Sequence, residues 1–291
     1  MSKAIETTEQ KPTKVAKKES SGLIVPDNLA NMFVEDAGAG QAGVGKDDLA
    51  LPFIKIIQNG SPERKKSHAK FIQGTEEGDI FNNVTKEVWK KDDGIYVVPC
   101  AYRFAYPIFI PMEPYGGGIL GELDPSDPII QQAVRDENNR DMLPKEYAEK
   151  LGAPAVEMVP TAEHYVLVVD QKTGTFQEAL LYMKGASRKV SRVWNTQIKM
   201  QTAKIDNRLI KLPSFGAIWH LSTVEKTKEN KTWCEYSVIG RVSYVQDAEM
   251  YEQAKSFSEL IESGQVNVQV DEELQGTKST QSDDEDLFTM E

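Results

Sequence analysis

The sequence predicts a β-rich α+β fold, and three observations predict it. Short β-branched or aromatic segments bounded by Gly, Pro, Asn or Asp dominate the middle of the chain, which is strand chemistry. Only two stretches carry a sustained helical period. The two ends of the 291-residue chain are polar and charged, with few apolar residues to bury.

The elements follow in order. Residues 1–46 are rich in Lys, Glu, Thr, Gly and Ala and read as a disordered arm. Ordered character begins at LALPFIKIIQNGSP, whose apolar run ends in the turn cluster Asn59-Gly60-Ser61-Pro62. The segments GDIFNNVTKEVW, GIYVVPCAYRFAYPIFIP, AEHYVLVVD, TFQEALLYM, FGAIWHLSTVEK and TWCEYSVIGRVSYV follow as strands. Between Gly116 and Pro160 lie a Gly-Gly-Gly run, five prolines and two short helix-like pieces, the pattern of a segment inserted into a β core. One helix is predicted over 186–204. A second runs from Asp247 as N-cap to Gly264 as C-terminal stop, with Tyr251, Ala254, Phe257 and Ile261 on one face. This strand count with aromatic faces suits an OB-like antiparallel barrel spanning 47–270, with the insertion at about 116–160 and disordered termini.

Charge is distributed unevenly. Residues 271–291 hold eight acids against Lys278 alone, so the remaining 270 residues carry only −4 of the formal −11. Base is concentrated between Lys184 and Lys211, where Lys184, Arg188, Lys189, Arg192, Lys199, Lys204, Arg208 and Lys211 face one acid, Asp206. At about 100° per residue, Arg188, Arg192, Asn195, Lys199 and Ala203 fall on one side of the predicted helix, with Val190, Val193, Trp194 and Ile198 on the other. Such a face neutralises phosphates and makes binding salt-dependent. A smaller basic group follows the first strand: Arg64, Lys65 and Lys66.

Aromatic residues supply what a single strand needs besides charge, because bases stack on rings regardless of sequence. Tyr102, Phe104 and Tyr106 share one face of an extended strand, with Arg103 on the other. Tyr102, Tyr106 and Trp233 are the rings predicted to be exposed. The nucleic-acid-binding set is therefore Lys184, Arg188, Lys189, Arg192, Trp194, Lys199, Lys204, Arg208, Lys211, Tyr102, Tyr106, Trp233, Arg64, Lys65 and Lys66. The end of the chain, Asp283-Asp284-Glu285-Asp286-Leu287-Phe288, combines acids with an apolar tip suited to a basic-rimmed pocket on a partner protein, and its charge can also compete for the protein's own basic groove.

Other chemistries find little support. Gly40 to Asp47 nearly spells a phosphate loop, but Asp47 stands where a hydroxyl is needed and no strand precedes Gly40. Cys100 and Cys234 lack the spacing of a zinc site and read as ordinary thiols. His68, His164 and His220 are isolated, so no catalytic residue, metal site or cofactor is assigned and the protein is read as non-enzymatic. No stretch has the length and apolarity of a membrane span, nor the start the form of a secretory signal.

LPFIKIIQNGSPE, EEGDIFNNVTKEVW, IYVVPCAYRF, LPSFGAIWHLSTVEK and TWCEYSVIGRV, with the acidic end, resemble the single-stranded DNA-binding proteins of tailed phages. The resemblance implies an OB core that coats single-stranded DNA during replication and recombination in the host bacterial cytoplasm. It also implies a tail that recruits polymerase, primase or helicase. Phe288 is followed by three residues, whereas such tails often finish on an aromatic. The same residues suit a strand-annealing recombination protein, or a virion or host-interaction protein without DNA binding, and they leave a homo-oligomer open.

Overall fold

The computed structural model describes residues 26, 28–36, 39–40, 50–228 and 231–264. These fall into two units divided between Leu49 and Ala50. The first contributes a short helix, α1 (Ala30–Glu35), inside the segment predicted to be a disordered arm. Most of the phosphate-loop-like stretch, and the acidic tail with Asp283, Asp284, Glu285, Asp286, Leu287 and Phe288, lie outside the described residues.

The second unit is β-rich. Its main strands are β1 (Phe53–Ile56), β2 (Ile80–Asn82), β3 (Val88–Trp89), β4 (Ile95–Ile110), β9 (Thr161–Val169), β10 (Phe176–Lys184), β13 (Ala217–Lys228) and β14 (Lys231–Tyr244). They form one mixed sheet in which β3, β2, β1, β10, β9 and β4 are successive neighbours; β13 adds to the first half of β4, and β14 pairs with β13. The β1–β10 pair is parallel and the others are antiparallel.

The β-rich α+β class therefore holds, but the closed antiparallel barrel does not. No backbone ladder joins β14 to β1. Side chains bridge the gap instead: the Gln58 amide donates to the Cys234 carbonyl at 2.8 Å and accepts from its N–H at 2.9 Å. The Tyr236 hydroxyl donates to the Ile54 carbonyl at 3.1 Å. Inside this open wall lies a core built from Ile54, Val97, Val166, Leu181, Trp219 and Tyr236, with Trp194 inserted from a helix.

β4 is long because it serves two lobes. Pro99, which cannot donate to a ladder, sits beside a bulge at Cys100. Beyond it the far half of β4 pairs with β5 (Gly118–Leu123) and β8 (Glu157–Met158). These strands, with β6 (Val134–Arg135), β7 (Asp141–Met142) and α3 (Lys145–Lys150), surround a second small core of Ile108, Leu123, Leu143, Val156 and Met158. The predicted insertion thus has an interior of its own, made with borrowed strand. At the other end Gly94 has φ +63°, and a Cβ there would lie 2.2 Å from the Leu221 carbonyl oxygen, so only glycine allows β13 to approach.

Five α-helices occur among the described residues: the two long ones predicted, α3 at the second of the two short helix-like pieces predicted in the insertion, and α1 and α2 (Met112–Tyr115) as unpredicted short additions; the first short piece is a 3-10 turn, Pro128–Gln132. α4 (Ser187–Met200) stops four residues before the predicted end. The chain then turns into a hairpin, β11 (Thr202–Ile205) and β12 (Arg208–Lys211), so Ala203 is a strand residue. Asp206 and Asn207 both have positive φ, the signature of a tight two-residue hairpin turn, and helix periodicity had masked it. α5 (Ala248–Glu262) matches its prediction: the Asp247 carboxylate accepts from the Met250 N–H at 2.7 Å. Met250, Ala254 and Phe257 bury against Val98, Tyr165 and Leu180 on the outer sheet face.

Candidate nucleic-acid interface

α4 packs across the open end of the sheet. Trp194 is fully buried and Val190 and Ile198 are half-buried against the core, next to Val238. Trp194 is on the packed side, as predicted, and its full burial removes it from the nucleic-acid-binding set: it lies 4.6 Å from His164 and 6.4 Å from Trp219, inside the core. Val193, expected on the packed side, is 58% exposed because only the Val190–Trp194–Ile198 strip meets the sheet.

The adjacent strip, with Arg188, Ser191 and Asn195, meets the aromatic row of β4. Tyr102, Phe104 and Tyr106 alternate with Arg103 along the strand, as period-two geometry requires. The Arg188 guanidinium lies 5.2 Å from the Phe104 ring centroid, and Phe104 meets Tyr106 edge-on at 5.2 Å. Tyr102 is 45% exposed, with its hydroxyl near Ser191 and Asn195 of α4; burial of one side of the ring raises its pKa, and these hydrogen bonds oppose the shift. Arg192 and Lys199 continue the strip in solvent, and Lys189 is exposed at its start. Basic side chains and aromatic rings from segments about 90 residues apart are thus brought into one band.

The remaining predicted residues are more scattered. Lys204, Arg208 and Lys211 are exposed on the hairpin, Lys204 and Lys211 on one face and Arg208 on the other. Arg64 is tied down, donating to Asn59 Oδ1 at 2.8 Å and standing 3.7 Å from Glu77, whereas Lys65 and Lys66 are exposed. Trp233 is half-buried with its indole N–H donated to Glu235 Oε1 at 2.6 Å. Phe104, Ser191 and Asn195 belong to the band but not to the predicted set; the period-two match of Phe104 with Tyr102 was the available signal.

Behind the band His164 is fully buried, its Nε2 2.8 Å from Ser191 Oγ, and burial holds its pKa down at about 3, so the ring is neutral. On the other sheet face Arg103 donates to buried Glu163 at 2.7 Å and to both oxygens of Glu122 at 2.9 and 3.0 Å. Burial raises the Glu163 pKa, with Arg103 and Tyr165 opposing it. Glu122 and Glu163 border a cleft of about 510 Å³ between the second lobe and the sheet gap, walled by Ile56, Pro107, Phe109, Val159, Tyr182 and Trp233, with Lys184 at its edge. Lys184 is more than a third exposed; desolvation lowers its pKa, with Glu157 opposing and Lys55 adding to the shift.

Among the described residues no group of three His, Cys, Asp or Glu side chains is placed to hold a metal ion, and no helix is long and apolar enough to cross a membrane. The fold and this band define a β-rich protein with a basic, aromatic-lined surface strip. Residues 18–267 match the model of the Pam3 phage gp34-like protein family, and the chain belongs to that family, which makes it a bacteriophage protein. No curated protein and no solved structure matches the chain.

Proposed function

We propose that this phage protein binds single-stranded DNA, without chemistry of its own, along the band formed by α4 and the aromatic row of β4. The observation that carries the reading is the Arg188 guanidinium on Phe104 beside the exposed ring of Tyr102. Phosphates are met by Arg192, Lys189 and Lys199, and bases by rings whose edges are already fixed, so little ordering entropy opposes binding. A duplex hides its base faces and gains only the charge term. Replication and recombination in the host cytoplasm are the processes such a protein serves, with the acidic end recruiting a polymerase, primase or helicase.

Fluorescence anisotropy with a mixed-sequence single strand and its duplex, at low and high salt, tests the reading. Salt-sensitive preference for the single strand supports it, and no binding at low salt overturns it. A second reading, an assembly or host-interaction protein of the virion, is favoured by the exposed Val193, Met200, Leu209, Ile239 and Val242 on α4, the hairpin and β14. It gains if DNA binding is absent and the protein self-associates.

A further inference from the structure

The cleft behind the band carries a second assignment, which rests on the single-strand reading above. Its walls are apolar, and most of its polar groups are already engaged. Arg103 holds Glu122 and Glu163; Lys55 holds Glu63 at 2.8 Å; the Thr161 hydroxyl donates to the Val159 carbonyl. Among the described residues the groups lining the cleft that have no hydrogen bond or ion pair include the second carboxylate oxygens of Glu235 and Glu163, the Lys184 ammonium and the Ser187 and Tyr182 hydroxyls; of the two carboxylates, Glu235 is the one beside the Trp233 ring. Glu235 is only 9% exposed and its first oxygen is fixed by the Trp233 indole, so the second is an oriented acceptor beside a flat aromatic surface. Lys184 and Ser187 lie where β10 passes into α4, at the start of the basic strip.

A carboxylate oxygen left free on a largely buried residue, an aromatic wall and a cation at the rim match a particular ligand chemistry. The acceptor takes an amino group, the wall takes a flat ring, and the rim takes a phosphate. We propose that the cleft receives a nucleobase bearing an exocyclic amine, with Glu235 accepting from that amine, Trp233 flanking the ring and Lys184 reaching the phosphate. Cytosine offers its 4-amino group; thymine presents a carbonyl oxygen at the same place, which a carboxylate repels. The protein therefore has a base preference against thymine.

The test is the affinity of the full chain for equal-length oligo-dC and oligo-dT at neutral pH, with Glu235→Gln in parallel. The wild type binds oligo-dC roughly tenfold more tightly. In Glu235→Gln the oxygen keeps the indole and the amide N–H₂ replaces the free oxygen, so the preference disappears or inverts towards thymine; an unchanged melting temperature certifies the fold. Deoxycytidine monophosphate in excess separates the sources: displacement of the strand shows that a free nucleotide also fits, and lack of displacement with discrimination retained assigns the cleft to bases within a strand. Equal affinity for the two oligomers, or a preference that survives Glu235→Gln, overturns the proposal while leaving single-strand binding intact. Binding to neither oligomer at low salt is the separate failure of the single-strand reading.

Discussion

The guanidinium carbon of Arg188 stands 5.2 Å from the ring centroid of Phe104, joining the basic helix to the aromatic strand. An arginine held on a ring is presented to phosphate with part of its entropy already spent. Arg188→Ala is expected to weaken single-strand binding about three- to tenfold and to reduce the slope of log affinity against log salt by about 0.7, the value for one phosphate on a single strand. A salt titration of both proteins checks this, and an unchanged slope removes Arg188 from the phosphate contacts.

Tyr102 and Trp194 should separate binding from stability. Tyr102→Ala removes a half-exposed ring and is expected to cost about 1–3 kcal/mol of binding with little change in unfolding. Trp194→Ala empties a fully buried site and is expected to cost about 3–5 kcal/mol in urea unfolding. If Tyr102→Ala binds like wild type, the aromatic row is packing alone.

Gln58 is expected to hold the two edges of the sheet gap together. Gln58→Leu leaves the Cys234 N–H and C=O without their side-chain partners. A loss of about 1–3 kcal/mol follows, with faster amide hydrogen exchange at Cys234 than at Tyr165. Equal exchange in variant and wild type would show that the gap is closed by other means.

His164 makes the protein acid-sensitive. Its folded pKa of about 3 lies below the unfolded value of about 6.5, so the unfolded chain binds the extra proton. The stability is fully present above the unfolded value and is lost as pH falls towards the folded one. By pH 5 the loss from this group reaches about 2 kcal/mol. Urea unfolding of wild type and His164→Gln between pH 5 and 7.5 reads it, the variant showing a flatter dependence.

Removing residues 271–291 takes away a net −7. The truncated chain is expected to bind single strands more tightly at low salt, with the difference vanishing at high salt as the charges are screened. Identical affinities at low salt would exclude competition by this segment.

Much of the strand content was legible because alternation and turn residues are local signals, and α5 was legible because its cap, period and stop agree. The end of α4 was not: Lys204 and Arg208 continue the basic composition, and only the turn at Asp206-Asn207 separates helix from hairpin. Trp194 illustrates the same limit at the site. Its place on the apolar side of the helix was read correctly, yet its position between basic residues put it in the binding set until packing removed it from solvent.

By itself the sequence determined the β-rich class, the capped C-terminal helix and the separation of acidic from basic segments, because each depends on neighbours along the chain. Only the tertiary structure decided that the sheet stays open and is bridged by Gln58 and Tyr236, and that Arg188 meets Phe104 rather than water. It also decided that Glu235 keeps one free oxygen in an apolar cleft. These depend on which strand edges and helix faces meet across long sequence separations, and such meetings are set by the packing of the whole core.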